Sequence, residues 1–169
     1  MKPEFDPDFG SALDAAAAIR ERKISAVELT QHTFRRIDNF QPKLNSYVYE
    51  LRDQALEDAK HADQAVDRKT ATGTLHGVPI NVKESFGVRG QPCTWGVPEF
   101  KNAIASADSV AVRRLREAGA ILLGATNVPR FLMDGQSFNE IYGVSNNPWD
   151  LTRTPGDHPV ARPHRSRRG

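Results

Sequence analysis

Residues 119–124 read Gly-Ala-Ile-Leu-Leu-Gly, and this short run limits the fold more than any other stretch of the chain. Four apolar residues without alternation suit a strand covered on both faces, and a strand covered on both faces belongs to a layered α/β sheet. The residues before it support this. Ser109–Ala118 has helical character, with Asp108 placed to cap it and Val112 and Leu115 three apart, and Gly119 stands where a helix ends in the left-handed conformation. Further back, Val78, Ile80 and Val82 alternate with Pro79, Asn81 and Lys83, which predicts a strand ending at Lys83. Strand, helix and strand at this spacing predict an α/β sheet with a crossover.

The N-terminal part reads as helical. Residues 1–10 are a polar, proline-containing lead-in. Ser11 with Asp14, and Ser25 with Glu28, have the spacing of capping boxes, and predict helices over Ala12–Arg22 and from Ala26 to Gln41-Pro42. The two are expected to form a helical hairpin on the outer layer. Ser46-Tyr47-Val48-Tyr49 is a strand candidate, and Ala55, Ala59, Ala62 and Val66 mark a helix to about Arg68. From Ala125 to Gly156 no regular pattern is visible, and a loop of that length inside a compact domain is usually functional or incomplete.

At 169 residues, with 38% apolar and 26% charged residues, the chain has room for one ordinary soluble domain. No stretch approaches the roughly 18 apolar residues of a membrane span, and the start has no apolar secretory core. The single cysteine, Cys93, makes neither a disulfide nor a CxxC frame, which agrees with a cytoplasmic location. No metal-ligand spacing, phosphate loop or dinucleotide fingerprint is present, so no metal or cofactor is expected. The net charge is +2, but Gly156–Gly169 holds four arginines and one acid, which leaves −1 for residues 1–155. No nucleic-acid surface is expected from the body of the chain. Residues 157–169 read as a basic, disordered tail. Nothing in the sequence sets an oligomeric state.

Lys83 is the residue most suited to chemistry. It ends a buried strand, where open α/β sheets gather catalytic groups, and desolvation there would favour a neutral, basic amine able to activate a hydroxyl. The plainer alternative is a solvated lysine paired with Glu84. Cys93 beside His76 is a second, weaker nucleophile candidate, since nothing in the sequence lowers its pKa. Phe131 and Met133, beside Asp134-Gly135, could line a pocket, but on their own they favour core packing.

Gly77-Val78-Pro79-Ile80-Asn81-Val82-Lys83-Glu84 resembles the lysine-bearing motif of the amidase signature family. The likeness continues through 108–124, Thr126-Asn127-Val128-Pro129, Asn139, Tyr142-Gly143, Asn146-Asn147-Pro148-Trp149-Asp150 and Arg153-Thr154-Pro155-Gly156, covering roughly residues 10–156. The resemblance implies the N-terminal portion of a mixed sheet flanked by helices, a small-molecule amide substrate, no cofactor, and hydrolysis of non-peptide C–N bonds by a lysine, a bridging serine on a cis peptide and a nucleophilic serine. It assigns the lysine to Lys83 and places Phe131, Met133, Asp134 and Gly135 along the acyl pocket, with Asp134 where a glycine is common. The tRNA-dependent amidotransferase component that delivers ammonia shares these motifs.

Both serines are missing. Where the family reads Gly-Ser-Ser-Gly-Gly-Ser-Ala-Ala, this chain reads Asp157-His158-Pro159-Val160-Ala161-Arg162-Pro163-His164. Codons for these eight residues, read one base earlier, can spell the family segment. The expectation is therefore a partial amidase domain over 11–156, followed by an out-of-frame tail, unable to form an acyl-enzyme and only marginally stable. The competing expectation is a non-catalytic chain kept for binding, whose basic tail takes acidic partners or whose exposed sheet takes another subunit.

Overall fold

The structure, a computed structural model, describes residues 5–71, 73–153 and 155–156. The tail at 157–169 and the first four residues of the lead-in lie outside the described residues.

Helices α1 (Ala12–Arg20) and α2 (Ala26–Leu44) both open on the capping boxes expected of Ser11/Asp14 and Ser25/Glu28. Strand β1 (Tyr47–Glu50), helix α3 (Arg52–Asp67), strand β2 (Pro79–Lys83), helix α4 (Val110–Glu117) and strand β3 (Ile121–Thr126) follow. The three strands form one mixed sheet in the order β1-β3-β2. β3 runs antiparallel to β1 and parallel to β2. A small antiparallel pair, β4 (Phe138–Asn139) and β5 (Gly143–Val144), stands apart.

The apolar run at 121–125 is buried throughout, as a strand covered on both faces should be. Ile121 and Leu123 face a core built from Ala15, Ile19, Leu29, Phe34, Ala55 and Ala59 of α1–α3. Leu122 and Ala125 face a smaller cluster with Val112 of α4, Val82 and Val88. Burying each large side chain contributes about 1.5–3 kcal/mol, so the α1–α3 face supplies most of the sheet's apolar stabilisation.

Gly124 is the point where β3 departs from a regular strand. The register shifts there against β2, with Ile80 opposite Leu122 but Val82 opposite Ala125. At φ +153°, a Cβ on Gly124 would stand 2.3 Å from the Tyr49 carbonyl oxygen and 2.9 Å from the Glu50 Cα. The bulge needs a residue with no side chain. It also breaks the expected alternation in β2: Val78 joins the α1–α3 core and Val82 the α4 cluster, while Ile80 touches both. Gly119, at φ +85° directly after α4, closes that helix as expected.

Several expectations need correction. The first two helices do not form a hairpin; α2 lies along α3, and α1 also packs chiefly on α3. Asp63 of α3 is the physical reason, because its carboxylate accepts the Ala26 and Val27 amides at 2.7 and 3.2 Å, at the N-terminus of α2. α1 stops at Arg20 because Arg22 turns to φ +58°. Pro42 sits inside α2 and does not end it. Its fixed φ suits a helix, and only one backbone bond is lost so near the end, where Asn45 in the left-handed conformation bonds back to Gln41. Ser109, rather than Asp108, caps α4. Asp108 instead accepts the Arg89 amide at 2.8 Å and pairs with Arg116 at 3.1 Å. β3 runs on to Thr126, into the stretch expected to be irregular.

Candidate active site

Lys83 stands at the carboxyl end of β2, paired in the ladder with Thr126 of β3, and is half-buried. The chain turns immediately, with the Phe86 amide bonding to the Lys83 carbonyl at 2.9 Å. Segments 84–97 and 127–145 both leave from this end of the parallel pair, so the end of the sheet becomes a corner built from loops.

Glu84 is the centre of that corner. It is fully buried. Its backbone N–H donates to the Thr126 carbonyl at 2.9 Å, which continues the ladder by one residue. Its carboxylate accepts the Thr94 amide at 2.5 Å, the Trp95 amide at 2.9 Å and the Tyr142 hydroxyl at 3.1 Å. A solvated Lys83–Glu84 pair is therefore not the arrangement found, because a buried carboxylate takes the donors that enclose it. Burial pushes the Tyr142 phenol above its ordinary value, and the Glu84 charge adds to this. Tyr142 thus remains a hydrogen-bond donor at neutral pH. Tyr49 is pushed upward more strongly, again by burial first and by Glu84 next, and its buried hydroxyl has no partner among the described residues.

A second layer holds Tyr142 in place. Asn139 is buried, and its amide donates to the Asn127 side chain and to the Val128 carbonyl, both at 2.8 Å. Its side-chain oxygen accepts the Ile141 and Tyr142 amides at 2.9 and 2.8 Å. Asn127 bonds onward to the Gly143 carbonyl at 3.1 Å and to Ser145 at 3.2 Å, and Ser145 donates to the Asn45 carbonyl at 2.7 Å. The stretch without periodicity is fixed by side-chain amides instead of by a ladder.

Of the residues expected along an acyl pocket, Phe131 reaches the corner. Its amide bonds to the Trp95 carbonyl at 2.9 Å, and its ring meets Phe100 edge-on at 6.5 Å, with the Arg130 guanidinium 5.8 Å from its centre. Phe131, Trp95, Phe100 and Leu132 are each between 42% and 48% exposed, which leaves a row of apolar surface. Met133 and Asp134 are exposed and Gly135 is half-buried. Trp95, Phe131 and Leu132 all hold positive φ, of 56°, 53° and 59°. Such backbone persists only where its surroundings over-determine it.

Cys93 and His76 are not brought together. His76 precedes β2 and bonds to the Ala62 carbonyl at 2.9 Å, beside Gly119. It lines a cleft of about 330 Å³ with Asp58, His61 and Arg116 at the opposite end of the sheet. Cys93 lies near Ser85, and burial, with the Glu84 charge adding to it, pushes its thiol upward against a hydrogen bond from Trp95. Neither feature makes a nucleophile. Among the described residues, no group of three or more His, Cys, Asp or Glu side chains is arranged to hold a metal. No helix among them is long and apolar enough to cross a membrane.

Sequence alone offers Glu84 only as a partner for Lys83, and gives Asn127, Asn139 and Tyr142 no role of their own. The available signal is polar side chains recurring in a stretch with no ladder to satisfy its backbone.

Known proteins resemble this chain in both sequence and fold. The family model described as Amidase matches residues 28–157, and the chain belongs to that family. It is 43% identical over 146 residues to an indoleacetamide hydrolase of Bradyrhizobium diazoefficiens, covering 86% of this chain and 28% of that protein. It is 36% identical over 152 residues to the A-type component of the glutamyl-tRNA(Gln) amidotransferase of Bdellovibrio bacteriovorus, covering 90% of this chain and 31% of that one. Among solved structures, a bacterial aryl acylamidase of the amidase signature enzymes superposes with a TM-score of 0.81 at 28% identity, over 88% of this chain and 31% of its own. The chain thus spans under a third of the length of these relatives.

Proposed function

We propose that this chain carries the lysine-bearing part of an amide-bond hydrolase of the amidase signature type, with Lys83 as the base. The position of Lys83 supports this reading most directly, since it ends β2 within the matched residues 28–157. In this reading the Lys83 amine takes the proton of a bridging hydroxyl, which activates a nucleophilic serine. The substrate is a small carboxamide whose acyl side lies along Phe131, Met133, Asp134 and Gly135. The resemblance to an indoleacetamide hydrolase and the row formed by Trp95, Phe100 and Phe131 favour an aromatic acyl group. No metal or cofactor enters the chemistry, and the work is done in the cytoplasm. The likeness to the amidotransferase component supports one variant, in which the same lysine releases ammonia from an amide for delivery to a partner.

The chain as written does not complete this chemistry, in our reading, because residues 157–164 are not the serine- and glycine-rich segment of the family and come from a shifted frame. A serine-directed fluorophosphonate probe tests the protein directly. No labelling is expected, and labelling abolished by Lys83→Met would overturn the inactive reading while supporting Lys83 as the base. The nucleotide sequence past the Pro155 codon tests the frame. An open, enzyme-like continuation one base over is expected, and an early stop in that frame would refute it.

A further inference from the structure

We infer that Glu84 is a positioning residue, which fixes the Trp95–Phe131 wall relative to the strand end that carries Lys83. The inference rests on the proposed roles of Lys83 and Phe131. Glu84 is the next residue after Lys83 and is locked into the sheet by its own N–H bond to Thr126. Its carboxylate reaches the opposite way, to the Thr94 and Trp95 amides and to Tyr142. Trp95 in turn accepts the Phe131 amide through its carbonyl. One side chain therefore connects three segments that are distant in sequence, and the apolar row is placed against β2 through it.

The chemistry of the contact explains why an acid is needed. Three donors converge on two oxygens: the Thr94 amide and the Tyr142 hydroxyl on Oε1, and the Trp95 amide on Oε2. A carboxylate accepts at both oxygens, whereas a glutamine amide offers one acceptor and one donor group. Glutamine retains most contacts by aiming its oxygen at Thr94 and Tyr142, which leaves its NH₂ facing the Trp95 N–H. The loss then falls on Trp95, the residue that holds Phe131. Trp95 and Phe131 also adopt left-handed backbone that is not held without support.

The full chain carrying Trp149→Phe leaves Trp95 as the only indole, since Trp149 is 95% exposed and the sequence has two tryptophans. In this background, amide hydrogen exchange and indole emission are compared for Glu84, Glu84→Gln and Glu84→Ala. Glu84→Gln is expected to raise exchange at Trp95 and Phe131 about tenfold or more, with a shift in Trp95 emission, while Ile121 and Leu123 are unchanged. Glu84→Ala is expected to release Thr94 as well, and added acetate, which replaces the missing carboxylate, is expected to restore emission and protection. Protection at Trp95 that survives Glu84→Gln would overturn the inference. So would a uniform rise across all amides, which would make Glu84 a matter of global stability alone, or failure of acetate to restore a folded Glu84→Ala. Exchange is read without turnover, so an error in the hydrolase reading leaves this result standing or falling separately.

Discussion

The helix-covered face of the sheet and the loop-built corner at its carboxyl end are held together by different forces. On the first, Ile121 and Leu123 press against alanines, Leu29 and Phe34 from three helices, and the stabilisation is spread over many contacts with no preferred direction. In the corner, Glu84, Asn127 and Asn139 each satisfy two or more partners, and the stabilisation is concentrated in a few directed bonds. The first arrangement loses stability in proportion to the volume removed. The second fails one segment at a time, leaving the sheet standing. The role proposed for Lys83 calls for the second kind of neighbourhood, since directed hydrogen bonds fix the relative positions of side chains.

The largest expected effect tests the backbone on which both regions depend. Gly124→Ala puts a methyl group into the Tyr49 carbonyl, and is expected to cost about 4 kcal/mol or more, enough to lose the folded state in a thermal melt. A folded Gly124→Ala protein with unchanged melting would show that the bulge is not required. Leu123→Ala, on the helix-covered face, is expected to cost about 3 kcal/mol in a denaturant titration, and to loosen the sheet and the corner together. Asn139→Ala is expected to cost about 2 kcal/mol, because it removes the acceptor of the Ile141 and Tyr142 amides and the donor to the Val128 carbonyl. Its signature is local: faster exchange over residues 139–145, with Ile121 and Leu123 still protected. Equal loosening in both regions would erase the contrast between them.

The smallest effect is one of pH. Burial holds the Tyr142 and Tyr49 phenols above their ordinary value of 10.0, so the folded state binds these protons more tightly than the unfolded chain does. Their contribution is complete below that value and declines as pH rises through the folded-state values. Stability followed by circular dichroism, with phenolate absorbance in parallel, should fall as pH rises above about 10. Tyr142→Phe should make that decline shallower.

The two regions also differ in how far the sequence discloses them. The buried start of β3 over 121–123, the capped starts of α1 and α2 and the ending of β2 at Lys83 follow from local patterns, because burial on both faces, capping and alternation each leave a local trace. Asp63 capping α2 leaves no such trace, since its partners are 36 and 37 residues away, and so the expected hairpin gives way to packing on α3. The corner is less legible still. A buried glutamate written beside a lysine looks like half of a surface pair until the Thr94 and Trp95 amides are seen closing over it. The place of Phe131 beside Trp95 has no local signal either; family likeness points to a pocket, whereas the residue taken alone favours the core, and it is found 45% exposed.

The order β1-β3-β2 places the last of these three strands in chain order in the middle. β1 and β2 share no ladder with each other, so neither finds its neighbour until Ile121–Thr126 has left the ribosome. Until then the helices of the first seventy residues can gather, but Tyr47–Glu50 and Pro79–Lys83 stay unzipped, with their amides open to any passing strand. A chain lacking Ile121–Thr126 therefore keeps two loose ribbons, whereas one in which that strand is free to fold closes the ladder of all three strands in one step.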